Sequence, residues 1–206
     1  MLCALIPLYR SGRLSARDLG LRGAPGARAV GLCLLALAAY FAFADLYLNA
    51  LARPRTSNPF AGIADRSTLV IIVTGFTAAV GAPVVEEIFF RGLLYRSLRN
   101  RLGTLSATSA AAVLFGLVHG TQYPLAALPG VACFGVVACL LYQRTGSLVP
   151  GIAIHSFVDA SAFEETLTGH ITVTFYAYLL LALGLLAGAV IRARGRRVAR
   201  RALPVS

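Results

Sequence analysis

Residues 68–91 read TLVIIVTGFTAAVGAPVVEEIFFR. Eighteen uncharged residues run from Thr68 to Val85, and Glu86, Glu87 and Arg91 follow within the next six positions. At 1.5 Å per residue such a run covers the roughly 30 Å of a bilayer's hydrocarbon core. Similar apolar runs recur on both sides of it. The chain of 206 residues is 58% hydrophobic and only 13% charged, with a mean hydropathy of +0.76. Those values exclude an ordinary soluble domain. Backbone polar groups inside lipid must pair within their own segment, so the spans are expected to be helices. A β-barrel is disfavoured because the runs are continuously apolar and do not alternate.

Working outward, the sequence divides into six spans at about 30–51, 68–100, 104–119, 125–142, 148–163 and 171–191. Breakers separate them at Arg53-Pro54, Gly103, Tyr123-Pro124, Gly146 and Gly169. The expected fold is an all-α polytopic membrane helix bundle, a single membrane domain over 1–206, with no internal repeat. A basic N-terminal segment (1–29) and a basic tail (192–206) flank it.

All 19 basic residues are arginine, and the formal net charge is +11. Nucleic acid is not the expected partner, because the arginines flank apolar spans. If both termini are cytoplasmic, 16 arginines lie inside, and only Arg53, Arg55 and Arg66 lie outside. That asymmetry follows the positive-inside rule and favours an even number of spans. Cys3, Cys33, Cys133 and Cys139 form no CxxC and read as small buried hydrophobes, with neither disulfides nor a zinc knuckle implied. The apolar start, 1–9, lacks a basic leader and an A-x-A site, so a cleaved signal peptide is not expected.

An ionisable side chain within a span costs a few kcal/mol or more and is a functional hypothesis by default. Glu87 and Arg91 are four residues apart on one helical face and can pair. Glu86 points about 100° away and is left for another partner. Phe115-Gly-Leu-Val-His119 ends the third span, and His155-Ser-Phe-Val-Asp159 places two further ionisable groups on one face of the fifth. Each has a plainer reading: a helix emerging into water, an interfacial histidine, a buried pair tying helices together. Taken together they gain weight. Glu86 and His119 both lie about 16 residues from the turn near Gly103, roughly 24 Å along antiparallel helices, so they reach equal depth. His155 is close enough if its span tilts. Gly75, Gly81, Gly116, Gly120 and Gly151 would allow close approach.

The series E-E-x-x-x-R, F-x-x-x-H and H-x-x-x-D, in this order on successive spans, resembles the CAAX protease and bacteriocin-processing (CPBP, or Abi) family of intramembrane endopeptidases. The resemblance covers about residues 80–160, within a catalytic core expected at 68–163. It implies hydrolysis of a peptide bond in a membrane-embedded or lipid-anchored protein or peptide. Glu86 would act as general base and His119 would orient the water. His155 and Asp159 would stabilise the oxyanion, with Asp159 donating only when protonated and otherwise orienting His155. Glu87, Arg91 and Phe115 would be supporting residues. The third motif ends in Asp159 where the prenyl-protein branch has Asn. That favours a bacterial-type, multi-pass protein of the cytoplasmic (inner) membrane.

No cofactor is favoured. Zinc is the possible one, held by Glu86, His119 and His155, although no H-E-x-x-H is present. The alternatives are a non-catalytic immunity or scaffold protein on the same fold and a small proton-coupled transporter. A decayed member would lack one of the motif residues, and a transporter would show broken or repeated helices.

Overall fold

The computed structural model describes residues 20–21, 26–47 and 59–174, and beyond these 176–178, 180–181, 183–185, 187–188 and 191. Most of the basic N-terminal segment, the Arg53-Pro54 connection, Cys3 and the basic tail lie outside the described residues. No strand occurs among the described residues.

Helix α1 covers Ala27–Tyr47. A continuous helical rod then begins with α2, Thr68–Phe76, and passes through a wide turn of π type at Thr77–Gly81 into α3, Ala82–Glu87. A second π-type stretch, Ile88–Tyr95, leads into α4, Arg96–Val118. Helix α5 is Leu128–Thr145 and α6 is Val149–Thr168. The described residues from 172 onward are helical.

The first π-type turn has a visible cause. Pro83 has no N–H, so the carbonyl four residues earlier, that of Ala79, loses its normal helical partner. The Ser156 hydroxyl of α6 donates to that carbonyl instead. In lipid such an unmet backbone group must be satisfied by a neighbouring helix, and this bond ties α6 to the motif-bearing rod.

Within α4, Gly103 adopts φ 76, ψ 175, which is not helical. Only glycine takes that backbone readily, and the chain folds back there as expected. Length and apolarity single out three segments rather than six: Ala27–Tyr47, Thr68–Thr121 and Leu125–Thr145. The expected span at 171–191 lies partly outside the described residues, and its described part, Thr172–Leu185, is a shorter apolar helix. The rest of the difference has two physical sources. The 54-residue segment Thr68–Thr121 counts once although Gly103 folds it into two legs. Helix α6 carries three carboxylates, Asp159, Glu164 and Glu165, which dilute its hydropathy.

Close packing rests on small residues. A methyl added at Gly135 of α5 would come 2.9 Å from the Ala112 backbone, and one at Gly116 would come 3.1 Å from Ala132. Such seams let helix backbones approach without a polar partner. Of the five expected contact glycines, Gly75, Gly116 and Gly151 sit at tight approaches; Gly81 and Gly120 have only ordinary contacts. Gly135 was not among the expected ones. The core between α4, α5, α6 and the Ile88–Tyr95 stretch contains Phe90, Phe115, Phe134, Leu141 and Ile154. Outward-facing Leu35, Leu69, Ile72, Phe76 and Leu117 leave a broad apolar coat, which suits lipid and not water. The protein is an integral membrane protein. Cys33, Cys133 and Cys139 are free thiols.

Candidate active site

The deepest part of the site is an ion pair. Arg91 Nη1 donates to Glu87 Oε1 at 2.8 Å, across the four-residue spacing expected from sequence, and both residues are fully buried. Isolated, either charge would be very costly at this depth. Further contacts enclose the guanidinium. Its carbon lies 4.5 Å from the Phe115 ring centre, with Phe134 at 5.8 Å and Phe90 at 6.0 Å. Nη2 donates to the Gly135 carbonyl at 3.4 Å.

His155 docks on that pair from α6. Its Nδ1 lies 3.0 Å from Glu87 Oε1. An ionised carboxylate can only accept, so Nδ1 carries the proton, and in the neutral ring Nε2 is left with its lone pair. The ring is wedged between Phe134 at 4.8 Å and Phe115 at 5.7 Å, centre to centre. The slot for Glu87 is made by Gly151, one turn before His155. A β-carbon there would stand 2.8 Å from Glu87 Oε2.

His119 is held by the same logic. Its Nδ1 lies 2.7 Å from the Phe115 carbonyl, which can only accept, so Nδ1 donates and Nε2 faces away with its lone pair. The F-x-x-x-H spacing therefore has two uses. Phe115 supplies the backbone oxygen that sets the tautomer, and its ring stacks obliquely on the imidazole at 4.6 Å.

Glu86 meets both histidines. Its Oε2 lies 3.6 Å from His119 Nε2 and 3.7 Å from His155 Nε2. Asp159 Oδ2 is 3.6 Å from the same His155 Nε2. These separations exceed direct hydrogen bonds and are of the size that a bridging water spans. Glu86 Oε2 is buried without a hydrogen-bond partner, so a donor from water or substrate is called for there.

The structure thus brings together all seven residues singled out from sequence. Helix α6 delivers His155 to within 3.7 Å of Glu86. Sequence reasoning missed the Glu87–His155 contact, which joins two motifs, and also Phe134 and Gly135. Gly151 had been noted for packing, but not as the slot for a carboxylate. Its position four residues before His155, on the same face, was an available signal. Phe134 carried none, being one apolar residue in an apolar span.

The Nε2 atoms and carboxylate oxygens are chemically suited to zinc. As placed, however, the described residues contain no group of three or more His, Cys, Asp or Glu positioned to hold a metal ion. No step below passes through a metal.

In this helical membrane protein a carboxylate and two imidazoles converge from separate helices. Residues 68–161, a little under half of the chain, match the family model described as type II CAAX prenyl endopeptidase Rce1-like. The match agrees with the family suggested by the three motifs, and it contains every site residue named above. No curated protein and no solved structure gives a match.

Proposed function

We propose that the protein is an intramembrane endopeptidase that cleaves a membrane-embedded or lipid-anchored protein or peptide with water activated by Glu86. The observation that carries this reading is the placement of Glu86 Oε2 3.6 and 3.7 Å from two imidazole nitrogens whose tautomers are set from behind.

In the proposed reaction, water lies between Glu86 and the His119 Nε2 lone pair. Glu86 takes a proton from the water as its oxygen bonds to the peptide carbonyl carbon. The carbonyl electron pair moves onto oxygen and forms the tetrahedral oxyanion. Collapse restores the C=O bond and breaks the C–N bond, and the leaving nitrogen takes the proton from Glu86. His155 and Asp159 flank the oxyanion, and as a pair they donate to it when they hold one extra proton. Glu87 and Arg91 keep His155 in register. Hydrolysis by this route needs no metal.

The chain would cross a bacterial-type inner membrane six times with both termini in the cytoplasm, as the arginine asymmetry suggests. Asp159 in the third motif argues for a substrate other than a prenylated C-terminus.

The test is purified protein in liposomes. Glu86→Gln should fold normally and lose cleavage, while a chelator should leave the wild-type rate unchanged and elemental analysis should find no stoichiometric zinc. Cleavage by Glu86→Gln at the wild-type rate would end the base assignment. Inhibition by the chelator, reversed by added zinc, would end the metal-free route alone.

A further inference from the structure

The four polar residues of the motifs present mainly acceptors to the cleft. Glu86 and Asp159 are carboxylates. His119 and His155 each commit the Nδ1 proton backward, to the Phe115 carbonyl and to Glu87, so their neutral rings offer lone pairs forward. A tetrahedral intermediate places a full negative charge on oxygen, and acceptors repel it. The stabilising term that commonly contributes most to peptide hydrolysis is a preorganised donor at that oxygen. The His155–Asp159 pair becomes a donor only after gaining a proton.

A donor that needs no added proton stands one turn beyond His119. The backbone N–H groups of Gln122 and Tyr123 both donate to the His119 carbonyl, at 2.9 and 3.0 Å. That tight turn sets the Tyr123 ring beside the histidine, tilted by 40° with ring centres 6.3 Å apart. Pro124 follows in extended backbone, φ −63 and ψ 152, and directs the chain away toward α5. Tyr123 is half-buried on this connection between α4 and α5. Its ring neighbours that of His119, whose Nε2 lies 3.6 Å from Glu86 Oε2, so Tyr123 stands beside the cleft. Burial first, and the charges of Asp159 and Glu86 second, raise the phenol above its ordinary value, so it keeps its proton.

We propose that Tyr123 is a catalytic residue of this site, donating its phenolic hydrogen bond to the carbonyl oxygen of the scissile peptide as that oxygen becomes an oxyanion. The phenol retains its proton throughout, so the proton balance of the hydrolysis is unchanged. The inference rests on the peptidase reading above. Tyr123 lies outside the three motifs and is visible only once the turn after His119 is seen.

The experiment compares membrane-protein termini in a host expressing wild type, Glu86→Gln or Tyr123→Phe, then measures kinetics on a quenched peptide spanning a Glu86-dependent cleavage site. The phenylalanine keeps the ring and removes only the donor. The expected result is a kcat about 100-fold lower for Tyr123→Phe, with KM and the melting temperature unchanged. If Glu86→Gln abolishes cleavage and Tyr123→Phe matches wild type, the Tyr123 role falls and the peptidase reading stands. A rise in KM or a fall in melting temperature with kcat intact makes Tyr123 structural and overturns the proposal. If termini are the same with wild type and Glu86→Gln, the peptidase reading falls and takes the Tyr123 role with it.

Discussion

His155 divides the site into two halves that obey different rules. On its Nδ1 side, Glu87 and Arg91 have side chains only 1% exposed and are packed among Phe90, Phe115 and Phe134. On its Nε2 side, Glu86 and Asp159 remain 26% and 29% exposed and His119 13%. The first half is neutralised and close-packed. The second holds two carboxylates whose ion-pair partners are the imidazoles of His119 and His155. Two adjacent glutamates thus serve opposite purposes, because one residue's step around a helix turns the second about 100° from the first. The closed half holds a histidine still, and the open half can admit water and substrate.

Substitutions in the two halves should therefore separate rate from stability. The largest expected effect is in the open half. Glu86→Gln should lower kcat by about 1,000-fold or more, as loss of a general base does, with little change in thermal unfolding in detergent. A matching loss of melting temperature would erase the distinction drawn here.

Next comes the closed half. Arg91→Ala strands the Glu87 carboxylate, and breaking a buried pair from one side costs about 3–5 kcal/mol. Low yield and early unfolding should report it. The double change Glu87→Gln with Arg91→Met removes both charges and should recover part of that stability. Activity should stay low, because His155 loses the carboxylate that sets its tautomer. Recovery of full activity in the double variant would show that the closed half does not position His155.

A smaller effect is expected at the boundary. Gly151→Ala forces a methyl to 2.8 Å from Glu87 Oε2, and overpacking of this kind costs about 1–3 kcal/mol. It should also lower kcat, since the displaced carboxylate holds His155. Gly130→Ala, where added volume meets nothing within 4 Å, is the matched control. The smallest effect is expected for Phe134→Leu, which removes one ring from His155 and Arg91. A loss of about 1 kcal/mol of stability and a few-fold change in kcat would fit a packing contact.

Much of this was legible because lipid makes local sequence informative. Apolar runs had to be helices, and Gly103, Gly146 and Gly169 mark chain reversals with φ of 76°, 63° and 76°. Glu86, Glu87, Arg91, His119, His155 and Asp159 stood out because each is expensive inside a span. Span counting was less secure. One residue, Gly103, decides whether 54 residues count as one crossing or two, and the acidic content of α6 makes it look less apolar than its neighbours.

By itself, then, the sequence determined the helical class, the lipid-facing character and the identities of the ionisable residues, since periodicity, hydropathy and the cost of a charge in hydrocarbon act over a few turns of one segment. Tertiary structure alone decided that His155 leans on Glu87 through the slot at Gly151, that both imidazoles turn Nε2 toward Glu86, and that the Tyr123 ring lies beside His119. Those contacts span up to 68 residues of chain and depend on which helix faces meet. Packing geometry selects those faces, and no local pattern encodes the choice.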